Sequence, residues 1–241
     1  MKKLVLSVSF LFIATQLFAQ KVEVTVQAIS GLYHYSGAST TGSSSINGGS
    51  DNSLNYTNNP YGNKNGFSYG GAVQAQIIVR HGFIVGLGAA YEILKSKVDI
   101  VSYNMYNANA ALINTSPITV TGRTYLQSNY INLNPYIGYR MNAGYFKLDI
   151  LPGVDVGIKT ETREHGKATY TEGTVYTDRS RPDKDVDLRL RIGLAATYNR
   201  IGIIASYAHG LTNFQDGMIG GVGPYEARSE LMRLGISYRL F

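Results

Sequence analysis

The sequence predicts an all-β chain: an eight-stranded antiparallel up-and-down transmembrane β-barrel with long loops at one end and short turns at the other. Three observations predict it. Apolar residues recur with a period of two over stretches of ten residues or more, tight turns alternate with long connections, and aromatic residues sort by strand end. The clearest stretch is residues 130–158. Before the turn Asn142-Ala143-Gly144, the apolar residues Ile131, Leu133, Pro135, Ile137, Tyr139 and Met141 occupy odd positions. After it, Phe146, Leu148, Ile150, Pro152, Val154, Val156 and Ile158 occupy even ones. Asn132, Asn134, Arg140, Lys147, Asp149 and Asp155 form the other face. Successive strand side chains point to opposite faces, so this is a hairpin with one apolar and one polar face. A tilted membrane-crossing strand needs about 9–11 residues, which directs the apolar face to lipid.

The rest of the chain repeats the pattern. Residues 1–19 read as a secretory signal peptide, with Lys2 and Lys3 as a basic start, residues 4–18 as an apolar run, and Leu17-Phe18-Ala19 before the cut. The barrel domain then covers 20–241. Strand one is 21–35, with Val22, Val24, Val26 and Ala28 on one face. Residues 37–66, rich in Ser, Gly and Asn, lack apolar periodicity and read as a long mobile loop. Strand two (67–80), the turn His81-Gly82 and strand three (83–94) follow. Residues 96–123 read as a second long connection before strands four and five of the hairpin above. Residues 160–185 are a third, with a small hairpin whose tip is Glu172-Gly173. Strand six (186–198), the turn Asn199-Arg200 and strand seven (201–209) come next. A fourth long loop (211–228), whose Gly220-Gly221-Val222-Gly223 run lacks a strand–turn–helix context for phosphate, leads to a last strand ending at Phe241.

Long loops on one side and short turns on the other match outer-membrane barrels, with loops extracellular, turns periplasmic and both termini periplasmic. Phe83, Tyr139, Phe146, Tyr198 and Tyr238 lie on the apolar face beside the short turns and form one interfacial girdle; Phe67, Tyr69, Tyr91 and Tyr207 supply part of the other. Closure requires the last strand to pair with the first, because an open edge in lipid strands backbone polar groups. Opposed inward positions then set Glu23 near Arg239, Thr25 near Ser237 and Gln27 near Gly235.

Composition bounds the function. Without Lys2 and Lys3, 20 basic residues stand against 16 acidic ones, a net charge of +4 with no Lys/Arg run, so no nucleic-acid footprint is present. The chain has no Cys, which excludes disulfides and a cysteine lipid anchor. Nineteen Tyr and 27 Gly suit strands that face lipid on one side and a polar interior on the other.

The terminus Arg233-Leu234-Gly235-Ile236-Ser237-Tyr238-Arg239-Leu240-Phe241 resembles the assembly signal of bacterial outer-membrane barrels: Arg233, Gly235, Tyr238 and Leu240 match, and Phe241 falls one place beyond the second hydrophobic. Tyr207-Ala208-His209-Gly210-Leu211-Thr212-Asn213 looks like the penultimate-strand exit of the PorT-like outer-membrane β-barrel family. The resemblance implies a barrel inserted by the barrel-assembly machinery into outer-membrane lipid, and no single activity.

An eight-stranded barrel is just wide enough for side chains to fill it. The inward face carries Glu23, Glu92, Arg140, Lys147, Asp149, Asp155, Asp187, Arg189, Arg191, Arg233 and Arg239. Either these line an ion or solute path, or they neutralise one another as a polar core; the width favours the core. Asp155 is expected to pair with Arg189 or Arg191 across the hairpin. The histidines His34, His81, His165 and His209 show no metal-ligand spacing. Barrel lipid A deacylases carry a His close before a Ser-Asn pair; here Gly210, Leu211, Thr212 and Asn213 follow His209, and the serine nucleophile is missing. Tyr56, Tyr61, Tyr103, Tyr106, Tyr170, Tyr176 and Tyr225 give the loops a composition compatible with contact surfaces. The expectation is therefore a non-enzymatic structural or surface-interaction barrel without cofactor or metal, whose extracellular ligand is unidentified. A narrow solute channel is the alternative, and a lipid-modifying enzyme the remote one.

Overall fold

The computed structural model describes residues 21–49, 54–106, 116–181, 184–215 and 225–241. The expected signal peptide, Pro182 and the Gly220-Gly221-Val222-Gly223 run lie outside them. Its strands are β1 (Lys21–Ser36), β2 (Ser43–Gly48), β3 (Tyr56–Thr57), β4 (Lys64–Ile78), β5 (Phe83–Met105), β6 (Ile118–Ala143), β7 (Phe146–Tyr170), β8 (Gly173–Ser180), β9 (Val186–Tyr198), β10 (Ile201–Gly210) and β11 (Arg228–Arg239). Eight of them, in the order β1-β4-β5-β6-β7-β9-β10-β11, pair antiparallel with their neighbours, and β11 pairs back onto β1. This is an eight-stranded antiparallel up-and-down β-barrel without an open edge.

The turns at one end are short for reasons written in their residues. Between β4 and β5, residues Arg80–Gly82 make a single 3₁₀ turn in which His81 (φ 65°) and Gly82 (φ 88°) adopt left-handed backbone. A Cβ on Gly82 would stand 2.6 Å from the Arg140 carbonyl oxygen, so glycine is required there. Asn199 (φ 53°) turns β9 into β10, and Gly144 (φ 63°) turns β6 into β7.

The outward face of the ring is apolar throughout. Phe67 and Val73 on β4, Val85 and Leu87 on β5, Ile137 on β6, Ile150 on β7, Leu190 and Leu194 on β9, Ile203 on β10, and Leu234 and Ile236 on β11 are all exposed. Monomeric soluble proteins rarely expose contiguous apolar surface on this scale; a belt around a closed barrel meets lipid. The turn-side girdle is present, with Phe83 against Tyr139 (5.5 Å between ring centroids) and Phe146 against Tyr198 (5.4 Å).

Strands β5, β6 and β7 continue well beyond the belt, and there the polarity of the two faces inverts. On β5 the outward residues change from Val85, Leu87 and Tyr91 to Lys95, Lys97 and Asp99, while the inward ones change from Glu92 to Leu94, Val98 and Ile100. On β7 a bulge opposite Asn129/Tyr130 shifts the parity, so that Glu161, Arg163, His165 and Lys167 face outward where Ile158 and Val156 did below. The alternation is the same on both sides of this boundary. The solvent outside has changed from lipid to water, and the apolar face turns inward to be buried.

Three expectations are corrected here. Residues 37–66 are not a featureless loop: β2 lies parallel to the upper half of β5, β3 pairs with β2, and Ile46 is fully buried. Residues 96–123 and 160–185 are largely strand, and the projecting hairpin β7–β8 turns at Thr171-Glu172, with Tyr170 opposite Gly173. Ile46, Val98, Ile100, Tyr103, Val120, Ala168 and Val175 form an apolar core between these strands, above the barrel proper. The apolar face of these strands points inward, so they lack the outward apolar run that marks the membrane-crossing strands. Finally, β11 ends at Arg239, and its register against β1 sets Thr25 opposite Arg239, Gln27 opposite Ser237 and Ile29 opposite Gly235. The predicted pairing forms, two residues further along. A slip of two preserves every face, and the stagger at which a barrel closes is a property of the whole ring.

Candidate functional site

The barrel interior is built in layers, each supplied by cross-strand neighbours. Nearest the short turns, Arg140 on β6 stands opposite Asp149 on β7. It donates to both Asp149 oxygens (Nε–Oδ1 2.7 Å, Nη2–Oδ2 2.6 Å) and, through Nη1, to Glu23 Oε1 at 3.0 Å. Arg239 Nη1 reaches the same Glu23 oxygen at 2.9 Å, Gln76 donates to the other at 3.0 Å, and Lys147 lies 3.8 Å away. Arg239 therefore meets Glu23 even though the register has slipped, because its side chain is long enough to reach back.

The middle layer is organised by Arg233 on β11. Its guanidinium donates to Glu92 Oε1 and Oε2 (2.7 and 2.8 Å) and places Nη1 2.7 Å from Asp155 Oδ2. Asp155 also accepts from Asn134 at 2.5 Å, and Arg191 Nη1 stands 3.6 Å away. Arg189 is directly opposite Asp155 in register yet turns to Asp187 (Nε–Oδ2 2.8 Å) and lies over the Tyr130 ring, 5.0 Å from its centroid. The expected Asp155–Arg191 contact is thus present but long, and the closest guanidinium comes from Arg233, a partner that hairpin reasoning did not reach. Gln27, Gln74, Gln76, Asn132 and Tyr136, outside the predicted charge cluster, fill the gaps with hydrogen bonds such as Tyr136 Oη to Gln76 Oε1 at 3.1 Å. Gly86 leaves room for the Tyr136 ring, since a Cβ there would sit 2.2 Å from Cζ.

Above these layers Tyr33, Tyr35, Leu94, Leu126, Tyr130, Phe214 and Leu231 pack as an apolar plug, with Tyr61 against it and Tyr35 edge-on to Phe214 at 5.4 Å. The voids lined by Gln74, Tyr136 and Arg191 and by Glu23, Gln76 and Arg140 measure about 20 and 30 Å³, each of the order of a water molecule. Five carboxylates therefore face five arginines and Lys147 in a space that side chains fill. At the rim, His34 and His209 flank Glu230 on the outer wall (3.4 and 3.6 Å), and Thr212 Oγ1 accepts a hydrogen bond from the Leu188 amide at 3.0 Å.

The sheet above the barrel has its own tie. Glu164, fully buried on β7, accepts from the Thr57 amide at 2.6 Å and from Arg181 Nε at 2.6 Å, and Arg181 in turn donates to the Thr57 carbonyl. Asn55 Nδ2 donates to the Tyr176 carbonyl at 2.9 Å. These bonds fasten the first loop to β7 and β8, which share no backbone ladder with it among the described residues.

A closed ring of eight strands, an apolar outer belt and a charge-paired interior define a transmembrane β-barrel. No known family profile matches the chain, and no curated protein matches it. Among solved structures it is similar to the attachment invasion locus protein Ail of Yersinia pestis in complex with the heparin analogue sucrose octasulfate (12% identity, 92% of this chain and 99% of that one, TM-score 0.34). It is also similar to Neisserial surface protein A (11%, 90% and 98%, TM-score 0.36) and to the outer-membrane protease OmpT of Escherichia coli (9%, 92% and 96%, TM-score 0.35). The strand ring and its register define the fold independently of these likenesses.

Proposed function

We propose that this chain is a sealed, non-enzymatic outer-membrane barrel whose task is interaction at the cell surface, carried by the folded sheet that β2, β3, β5, β6, β7 and β8 raise above the membrane. In this reading residues 1–19 are removed on export, both termini lie in the periplasm, and the barrel-assembly machinery engages the C-terminal strand through Arg233, Gly235, Tyr238, Leu240 and Phe241. The PorT-like resemblance belongs to the same proposal.

One observation carries the reading. The interior is filled at every level by ion pairs and by the aromatic plug, whereas the outer sheet is an ordered superstructure with its own apolar core. A pore would have to break buried ion pairs, each costing about 3–5 kcal/mol when one partner is lost. The experiment is conductance of the purified chain in planar bilayers, beside a variant lacking the superstructure-fastening carboxylate, Glu164→Ala. Silence in both supports a sealed surface protein. Steady single-channel steps in the unaltered chain would overturn it in favour of a channel.

A further inference from the structure

The outer wall of the superstructure carries a charge pattern that the sealed interior leaves unexplained. Cross-strand pairing aligns its outward side chains in rows. Lys97, Tyr125, His165 and Asp178 form one row; Asp99, Arg123, Lys167 and Tyr176 form the next. Lys95 and Arg163 flank them on the membrane side. With Lys64, which pairs with Asp99, this gives six basic side chains against two acidic ones. That surplus of four equals the net charge of the whole chain without Lys2 and Lys3. Elsewhere on the protein the charges balance.

The same face holds an open, shallow groove with aromatic rings in it. The rings of Tyr125 and His165 stack (5.8 Å between centroids, 24° between planes) on the floor of an open groove of about 850 Å³, with Arg123, Lys167 and Tyr176 around it. Arg163 is engaged by Asp178 at 2.6 Å, and Arg123 lies 3.5 Å from Asp99, whereas no carboxylate approaches Lys167 within ion-pair distance among the described residues. An aromatic floor with amines and guanidinium groups at its margin fits the apolar face of a sugar together with attached phosphates.

Position decides where such a ligand would come from. Tyr125 lies six residues along β6 from Ile131, the last lipid-facing residue of that strand. At about 3.3 Å per residue and a tilt of about 40°, this is about 15 Å above the edge of the belt. The groove is on the outside wall, so it faces sideways into the sugar layer beside the barrel and not upward into the medium.

We propose that this groove binds the phosphorylated glycan headgroup of the glycolipid surrounding the barrel in the outer leaflet, with Arg123 and Lys167 taking phosphate and the Tyr125–His165 stack taking a sugar face. The inference rests on the outer-membrane reading with the long loops outward. It deepens that reading by naming the partner of the superstructure.

The test uses the full chain purified in detergent and mixed with bisphosphorylated lipopolysaccharide lacking its O-chain. The glycolipid retained per barrel after washing is measured against concentration. Arg123→Glu/Lys167→Glu should weaken retention at least tenfold, the order expected for losing one charge-assisted hydrogen bond, while Arg228→Glu, a reversal at a basic residue outside the groove, should not. Enzymatic removal of the phosphates should weaken binding to the unaltered chain by a similar factor. Equal retention by the double variant overturns the proposal, as does tight binding of a soluble sulfated polysaccharide without binding of the glycolipid. All variants are first checked for heat-modifiable migration, so that loss of folding is not read as loss of binding. Because the chain has no Cys, Glu172→Cys at the exposed tip of the β7–β8 hairpin, outside the groove, reports orientation in intact cells through a membrane-impermeant thiol reagent. Labelling with no glycolipid effect defeats this inference alone; absence of labelling on a folded barrel defeats the orientation on which it rests.

Discussion

Arg233→Leu should unfold the middle of the barrel more than any single change on its outer wall. The guanidinium makes three contacts of 2.7–2.8 Å with Glu92 and Asp155, which are 3% and 0% exposed. Leucine replaces much of the buried volume and leaves two carboxylates without their main counter-charge. Glu92 keeps Asn132, and Asp155 keeps Asn134 and the more distant Arg191, so the loss falls short of two isolated buried charges. Removing one partner of a buried ion pair costs about 3–5 kcal/mol, and the structure points to about 4 kcal/mol, near a thousandfold in the folded-to-unfolded ratio. Urea unfolding of the purified barrel in phospholipid vesicles, followed by heat-modifiable migration, measures it. Adding Glu92→Gln to Arg233→Leu should recover about half of the loss, because it neutralises one orphaned carboxylate. A loss below about 1 kcal/mol, or a double variant no more stable than the single, would refute the claim that the interior is a mutually neutralising lattice.

Glu164→Ala removes the side chain that joins the Thr57 amide to Arg181, and limited proteolysis within the first loop should accelerate by about ten- to a hundredfold, the equivalent of about 1–3 kcal/mol for an orphaned buried group, with the membrane-spanning ring intact. Burial, reinforced by Lys95, holds the His165 imidazole below its ordinary 6.5. The unfolded segment therefore binds protons first, and the β7–β8 hairpin should be fully stable above pH 6.5 and lose protection as the pH falls below it; amide exchange at pH 5 and 7.5 reads this, and His165→Gln should flatten the dependence. Tyr238→Asp places a charge on the lipid face and should lower the amount of inserted barrel in outer-membrane fractions. Deleting Phe241, whose carbonyl accepts from the Val24 amide at 3.1 Å, should do the same, and normal levels of both variants would show that the terminus is not an assembly signal.

The membrane-crossing half of the fold was legible because a strand with lipid on one side and a polar interior on the other must alternate. Ile131 to Met141 and Phe146 to Ile158 write that alternation without interruption, and β9 matches its predicted bounds at both ends. The upper sheet was less legible. Val98 and Ile100 alternate with Lys97 and Asp99 as strictly as any pair below, but with the apolar member inward; reading inversion as well as alternation would have extended β5 to Met105. β2 gives no comparable cue, since Ser43–Gly48 becomes a strand by docking along β5 and its sequence has little period of its own.

By itself the sequence determined the alternation, the number of membrane strands and the end at which the turns are tight, all of which depend on residues near one another in the chain. Only the tertiary structure decided which charges meet. Arg233 and Glu92 are 141 residues apart, and Arg239 and Glu23 are 216 apart. Their meeting depends on the stagger at which β11 closes onto β1, and that stagger is a sum over the whole ring. The basic face above the belt likewise exists only once β5, β6, β7 and β8 lie side by side, because Lys97, Arg123 and Lys167 are scattered along the chain and become neighbours through register alone.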